Sequence, residues 1–174
     1  MSGAKPSPPC VLIFMGVAGS GKTTVARLFA QKTGAVFHEG DDSHPPVNIA
    51  KMRAGIPLTD DDRAAWLLTL RKIISDALAK NTFSVLTCSA LKSKYRDQLQ
   101  AGDRRVQFVH LAAPPAVLAA RLETRSGHFM SPVLLDNQLS IFEPPTDALT
   151  INGEKNPAEI VEELIQTLGI RRTD

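Results

Sequence analysis

The segment Gly16-Val17-Ala18-Gly19-Ser20-Gly21-Lys22-Thr23 narrows the possible folds more than any other part of the chain. It matches G-x-x-x-x-G-K-[ST] at every fixed position, with the apolar run 10–15 before it and a helical pattern after it. Glycines let the backbone close into a ring of inward N–H groups that hold phosphate oxygens. The helix N-terminus adds positive potential. In such a loop Lys22 reaches the β- and γ-phosphates of a nucleoside triphosphate, and the Thr23 hydroxyl ligates Mg²⁺. All eight residues, with Thr24 in the first helical turn, form the expected nucleotide-contacting set.

Short apolar runs alternate with longer helical patterns along the rest of the chain, which predicts a three-layer α/β fold with a parallel sheet. The expected strands are 10–15, 35–38, 83–88, 106–111 and 148–151. The expected helices are 22–33, 45–54, 59–80, 92–100, 114–124, 132–140 and one opening at Pro157. Thr59 is a good N-cap, and Asp60, Asp61 and Asp62 fall in the first turn, where the helix dipole favours anions. At 174 residues, 43% apolar and 22% charged, the chain is sized for one domain. Net charge is +2 and the basic residues are scattered, which argues against a nucleic-acid partner. The longest apolar runs fall far below the roughly 18 residues of a membrane span. Residues 1–9 are Pro-rich without an apolar core, so they read as a flexible lead rather than a secretory signal, and the chain as cytoplasmic. Cys10 and Cys88 lie in strand patterns, which predicts buried free thiols.

A phosphate loop alone does not name the second substrate. Regulatory GTPases read guanine through Asn-Lys-x-Asp, which is absent. Transport and motor ATPases end the third strand on a Mg²⁺-ordering Asp, whereas this strand ends Thr87-Cys88-Ser89. The acid must come from elsewhere, and the second strand offers Glu39-Gly40-Asp41-Asp42. In a parallel sheet that strand end lies near the phosphate loop. Glu39 and Asp41 can order the metal shell, and Asp41 can take a proton from an attacking hydroxyl. Their alternative role is to cap the helix opening at Pro45. Arg121 and Arg125 lie four apart at the end of a helix and open into a polar segment holding His128, so the region 121–140 reads as a lid over the phosphates. Either could instead be a solvated surface residue, and one could stack on adenine.

Here the residues match a family. The phosphate loop is joined by Gly40-Asp41-Asp42-Ser43-His44-Pro45, by Asn48 and Lys51-Met52, and by Gly55-Ile56-Pro57-Leu58-Thr59-Asp60-Asp61-Asp62-Arg63. Trp66-Leu67, Cys88-Ser89-Ala90-Leu91-Lys92, Tyr95-Arg96-Asp97, Arg125-Ser126-Gly127-His128-Phe129 and Glu143-Pro144-Pro145 complete the pattern. Over nearly its whole length the chain resembles the P-loop gluconokinases, which are more distantly related to shikimate kinases. The resemblance implies phosphorylation of D-gluconate at its 6-hydroxyl by ATP with Mg²⁺. It also implies a nucleoside-monophosphate-kinase-like fold with a five-stranded parallel sheet, and a homodimer. Two positions depart from the family: Glu39 stands where Asp is usual, and Ala65 where Pro commonly precedes Trp66.

Gluconate carries a carboxylate and a row of hydroxyls, so its site needs cations at one end and hydrogen-bonding groups along the chain. The candidates are Asp41, His44 and Arg63 from the segment 42–80 and its approach, Ser89, Lys92 and Arg96 after the third strand, and His128 and Gln138 from the lid side. Lys22, Asp41 and Arg125 are the expected catalytic groups. Other roles stay open: Arg63 pairing with Asp60 or Asp62, Arg96 fixing the short helix or pairing with Asp97, His128 bracing the lid. His38 and His110 read as structural, and Trp66 as core. Two rival functions remain at this level: a kinase of the same fold acting on shikimate or a nucleoside monophosphate, and a nucleotide-binding regulatory module.

Overall fold

The computed structural model describes residues 9–124 and 131–173. Most of the expected lead lies outside them, as do Arg125 and His128. Five strands form one parallel sheet: β1 (Val11–Met15), β2 (Val36–His38), β3 (Ser84–Thr87), β4 (Val106–Ala112) and β5 (Leu149–Asn152). Their spatial order is β2-β3-β1-β4-β5. The helices are α1 (Lys22–Thr33), α2 (Pro46–Arg53), α3 (Asp60–Lys80), α4 (Ser93–Gln100), α5 (Pro115–Glu123), α6 (Pro132–Ile141) and α7 (Pro157–Leu168). A single 3-10 turn, Gly40–Ser43, joins β2 to α2.

The unbroken apolar run of β1 follows from its central place. Every residue is buried, and alternate side chains feed opposite faces of the sheet. Val11, Ile13 and Met15 pack with Trp66, Leu70 and Ile74 of α3 and with Tyr95 and Leu99 of α4. Leu12 and Phe14 pack with Val25 and Phe29 of α1 and with Ile160, Val161 and Leu164 of α7. A smaller cluster of Val17, Leu91, Leu118 and Leu135 underpins the phosphate loop.

Local chemistry sets the helix ends. α1 starts after Gly21 (φ 94°) and stops at Gly34 (φ 71°), both left-handed conformations that glycine adopts without Cβ strain. At α3, Thr59 Oγ1 accepts from the Asp62 N–H at 3.2 Å, while Asp62 Oδ2 accepts from the Thr59 N–H at 2.9 Å. This reciprocal pair is a capping box closed by Asp rather than by the usual Glu. Asn81 ends α3 in a left-handed conformation (φ 50°). The departures from expectation are small. Lys92 is extended and precedes α4 rather than opening it, and β5 sits one residue later than its pattern. Cys10 and Cys88 are buried free thiols, and burial pushes Cys88 up to about 12. No helix among the described residues is long and apolar enough to cross a membrane.

β1 lies between β3 and β4, so the connections leaving it and returning to it diverge on either side. At such a switch point the carboxyl ends of the strands open a crevice, where ligands of α/β sheets bind.

Candidate active site

A cavity of about 360 Å³ fills that crevice. The phosphate loop forms its floor, with Gly16, Gly19 and Gly21 all at positive φ. A Cβ on Gly19 would lie 2.9 Å from the Leu118 carbonyl, so only glycine lets α5 approach the loop this closely. Lys22 Nζ donates to the Gly16 carbonyl at 2.9 Å and to Val17 at 3.1 Å, folding over the ring it serves. Ala18, Ser20, Thr23 and Thr24 also face the cavity.

Glu39 reaches the foot of the loop from the neighbouring strand. Its Oε2 accepts from Thr23 Oγ1 at 2.7 Å, and its Oε1 accepts from the Thr87 hydroxyl. Thr87 Oγ1 in turn accepts from the Gly40 N–H at 3.0 Å. Thr87 ends β3, where many P-loop ATPases place an acid. Here the hydroxyl bridges to a carboxylate supplied one strand further out. The Thr23 proton is committed to Glu39, which leaves the oxygen lone pairs for a cation. Among the described residues no group of three or more His, Cys, Asp or Glu side chains forms a self-contained metal site. Thr23, Glu39 and Asp41 offer oxygen donors, the type that Mg²⁺ takes alongside waters and phosphate oxygens.

Asp41 follows Glu39 by two residues and enters the cavity with its side chain 66% exposed. Gly40 between them packs against β3 so tightly that a Cβ would stand 1.9 Å from the Thr87 carbonyl. Trp66 holds the same turn, its Nε1 donating to the Gly40 carbonyl at 2.7 Å. The core residue expected from the α3 stripe thus also fixes the acidic turn. Its ring stacks on His44 at 4.2 Å, with 14° between the planes. His44 is buried and lines the cavity. Burial, and then the Arg63 charge, lower its pKa to about 4 and keep the ring neutral near pH 7.

Arg63 is buried at 6% exposure and also lines the cavity. Its Nη1 donates to the Leu58 carbonyl at 2.5 Å, and its guanidinium lies 5.8 Å from the centre of the Tyr95 ring. Among the described residues it forms no ion pair with a carboxylate: Asp60 binds Lys92, Lys94 and Tyr95, and Asp62 binds Lys51. Ser89 and Gln138 line the cavity as well, and Gln138 Oε1 accepts from the Ala18 N–H of the phosphate loop at 2.8 Å. Arg121 donates to the Gly153 carbonyl at 2.9 Å and to Gly19 at 3.4 Å, clasping the loop to the β5–α7 turn.

Two expected substrate residues lie elsewhere. Lys92 Nζ binds Asp60 at 2.9 Å, and neither Lys92 nor Arg96 lines the cavity. Arg96 is buried and donates to the Ala90 and Leu91 carbonyls at 2.8 and 3.3 Å, holding the turn that presents Ser89. Their four-residue spacing suggested a shared face. Because Lys92 caps α4 from an extended conformation, the two side chains diverge. Met52, Pro57, Leu58, Asn137 and Lys155, none of them expected as a substrate contact, also line the wall. Met52, Pro57 and Leu58 lay in the family motifs, and Thr87, which bonds Glu39, stood at the strand end where an acid is usual.

A parallel sheet with a glycine-rich phosphate loop at its switch point, and Asp41, His44 and Arg63 lining the same cavity, define a P-loop phosphotransferase for small molecules. A family model described as an AAA domain matches residues 11–145. A gluconokinase of Gluconobacter oxydans is 46% identical over 161 residues, covering 91% of this chain and 90% of that protein. The crystal structure of a gluconokinase from Sinorhizobium meliloti matches with a TM-score of 0.82 at 42% identity, covering 93% and 92% of the two chains. Shikimate kinase from Aquifex aeolicus shares the fold at 19% identity, with a TM-score of 0.58 and coverage of 91% and 96%. The chain belongs to the gluconokinase family.

Proposed function

We propose that this chain transfers the γ-phosphoryl group of ATP to the 6-hydroxyl of D-gluconate, giving 6-phospho-D-gluconate and ADP, with Mg²⁺ as the metal. The observation that carries the reading is one cavity lined by the phosphate loop, by Asp41 and by a buried arginine with no carboxylate partner among the described residues. A buried cation is costly unless an anion joins it, and a sugar-acid carboxylate would be that anion. Arg63 receives the carboxylate, His44 and Ser89 hold hydroxyls along the chain, and Asp41 receives the proton of the attacking alcohol. A bond forms from the alcohol oxygen to the γ-phosphorus as the bond to the ADP oxygen breaks. Lys22 neutralises charge on the phosphoryl oxygens, with Arg125, outside the described residues, as the expected second cation. Bound Mg²⁺ would offset phosphate charge, with Thr23, Glu39 and Asp41 as its protein-side shell. Arg121, beside the β5–α7 turn, faces the region left for the nucleoside. The family likeness supports a homodimer working in the cytoplasm.

The test is ADP release from ATP and Mg²⁺ with gluconate, shikimate or AMP offered side by side. Turnover should depend on gluconate alone. Equal stimulation by shikimate or AMP would move the acceptor assignment, and slow hydrolysis indifferent to all three would point to a regulatory module.

A further inference from the structure

Asn48 is 1% exposed and no step above uses it. Its Nδ2 lies 2.7 Å from the Asp62 backbone carbonyl. A carbonyl oxygen can only accept, so the amide orientation is settled: the nitrogen, not the oxygen, points there. The same nitrogen lies 3.3 Å from His44 Nδ1. With one hydrogen on the carbonyl and one left for the ring, Nδ1 must be the acceptor and cannot carry a proton. The proton of the neutral imidazole is then on Nε2, the nitrogen 4.0 Å from Asp41 Oδ1 at the cavity edge.

We propose that Asn48 is a positioning residue: it fixes His44 as the Nε2–H tautomer, so that the ring presents a hydrogen-bond donor to a substrate oxygen beside Asp41. The arrangement is braced from three sides. Trp66 stacks on the ring. Asp62, whose carbonyl anchors Asn48, is itself held by Lys51 at 2.6 Å and by the Thr59 N–H at 2.9 Å. Asn48 and Lys51 both lie on α2, so docking of α2 onto the start of α3 sets the tautomer. Which nitrogen of a histidine is protonated follows from the bond made by the other. An oxygen held by Nε2–H next to an acid can accept from the ring while it donates to Asp41, a pairing suited to a hydroxyl and unsuited to an apolar group.

The tautomer is independent of the proposed activity, whereas the donor's service to gluconate rests on it. Two measurements separate them. In full-length ¹⁵N-histidine-labelled protein, long-range ¹H–¹⁵N spectra should show His44 with Nδ1 unprotonated and Nε2 protonated. The opposite tautomer, or a mixture, overturns the proposal, and this spectrum is read on the wild-type protein. The second measurement is a double-mutant cycle on gluconate turnover. N48A should lower kcat/KM for gluconate about tenfold, the scale for losing a residue that orients a functional histidine, with KM for ATP unchanged. H44A removes the ring that Asn48 orients, so adding N48A to H44A should cost less than about twofold. Equal losses in both backgrounds would make Asn48 merely structural and overturn the proposal. A wild-type chain inert toward gluconate would sink the activity reading and leave the tautomer to be decided by the spectrum.

Discussion

At the scale of single residues, Lys22 and Asp41 sit on opposite sides of the expected transfer. Lys22 Nζ rests on the Gly16 carbonyl of the phosphate loop, and Asp41 lines the same cavity with an exposed carboxylate. Lys22→Ala and Asp41→Ala should each lower turnover at least about 100-fold, the scale of losing one charge-stabilising or acid–base group. Steady-state rates at saturating ATP and gluconate check this, and an Asp41→Ala enzyme with near-normal kcat would remove Asp41 from the chemistry. The phosphate loop was legible in the chain alone. The loop glycines, Lys22 and Thr23 declare themselves because each is required by phosphate geometry at a fixed spacing. Lys92 and Arg96 did not, because their partners, Asp60 and the Ala90–Leu91 carbonyls, are set by tertiary packing that spacing cannot reveal.

At the scale of elements, the 3-10 turn after β2 and the start of α3 bring Asp41, His44 and Arg63 to the cavity. Gly40 cannot take a side chain without moving the end of β3, since its Cβ would stand 1.9 Å from the Thr87 carbonyl. Gly40→Ala should therefore cost at least about 2 kcal/mol, at or above the middle of the range for overpacking, and should shift the urea midpoint down. An unchanged midpoint would mean that the turn is looser than its packing indicates. The clasp has a pH signature. The hydrogen bond from Lys51, then that from the Thr59 N–H, lower the Asp62 pKa from 3.8 to about 2. A carboxylate depressed in the folded state adds stability above its ordinary value and loses it as pH falls through the folded one. The stability advantage of wild type over Lys51→Met should thus be level near neutrality and shrink between about pH 4 and 2. Thermal melts across that range decide it, and a gap that widens on acidification would exclude the Lys51–Asp62 pair as its source. Helix ends were readable wherever a capping residue marked them, as Thr59 and Gly34 do. The start of α4 fell within a residue of its pattern, at Ser93 after Lys92.

For the whole molecule, the alternation of apolar runs and helical patterns was enough to expect a five-stranded parallel sheet, and the structure has one. The strand order that brings β2 beside β3, and so Glu39 within reach of Thr23, is a property of the assembled sheet that no local stretch encodes. Because nucleotide and acceptor share one cavity, their binding should appear as global stabilisation. Ligand at a hundred times its Kd adds about 2.7 kcal/mol, which for a chain of this size raises Tm by roughly 5–10 °C. ATP with Mg²⁺ should give such a shift in scanning calorimetry, and Lys22→Ala should abolish most of it. A wild-type melt indifferent to the nucleotide would remove the phosphate loop from the account.

With a hydroxyl at the end of β3 and the acids Glu39 and Asp41 one strand outward, the groups proposed to serve the two substrates are not independent parts. Glu39 and Asp41 flank a glycine wedged against Thr87. Any drift of that wedge displaces both together, so a mutation that retunes the choice of alcohol by moving this turn would also disturb how the triphosphate's counter-ion is held.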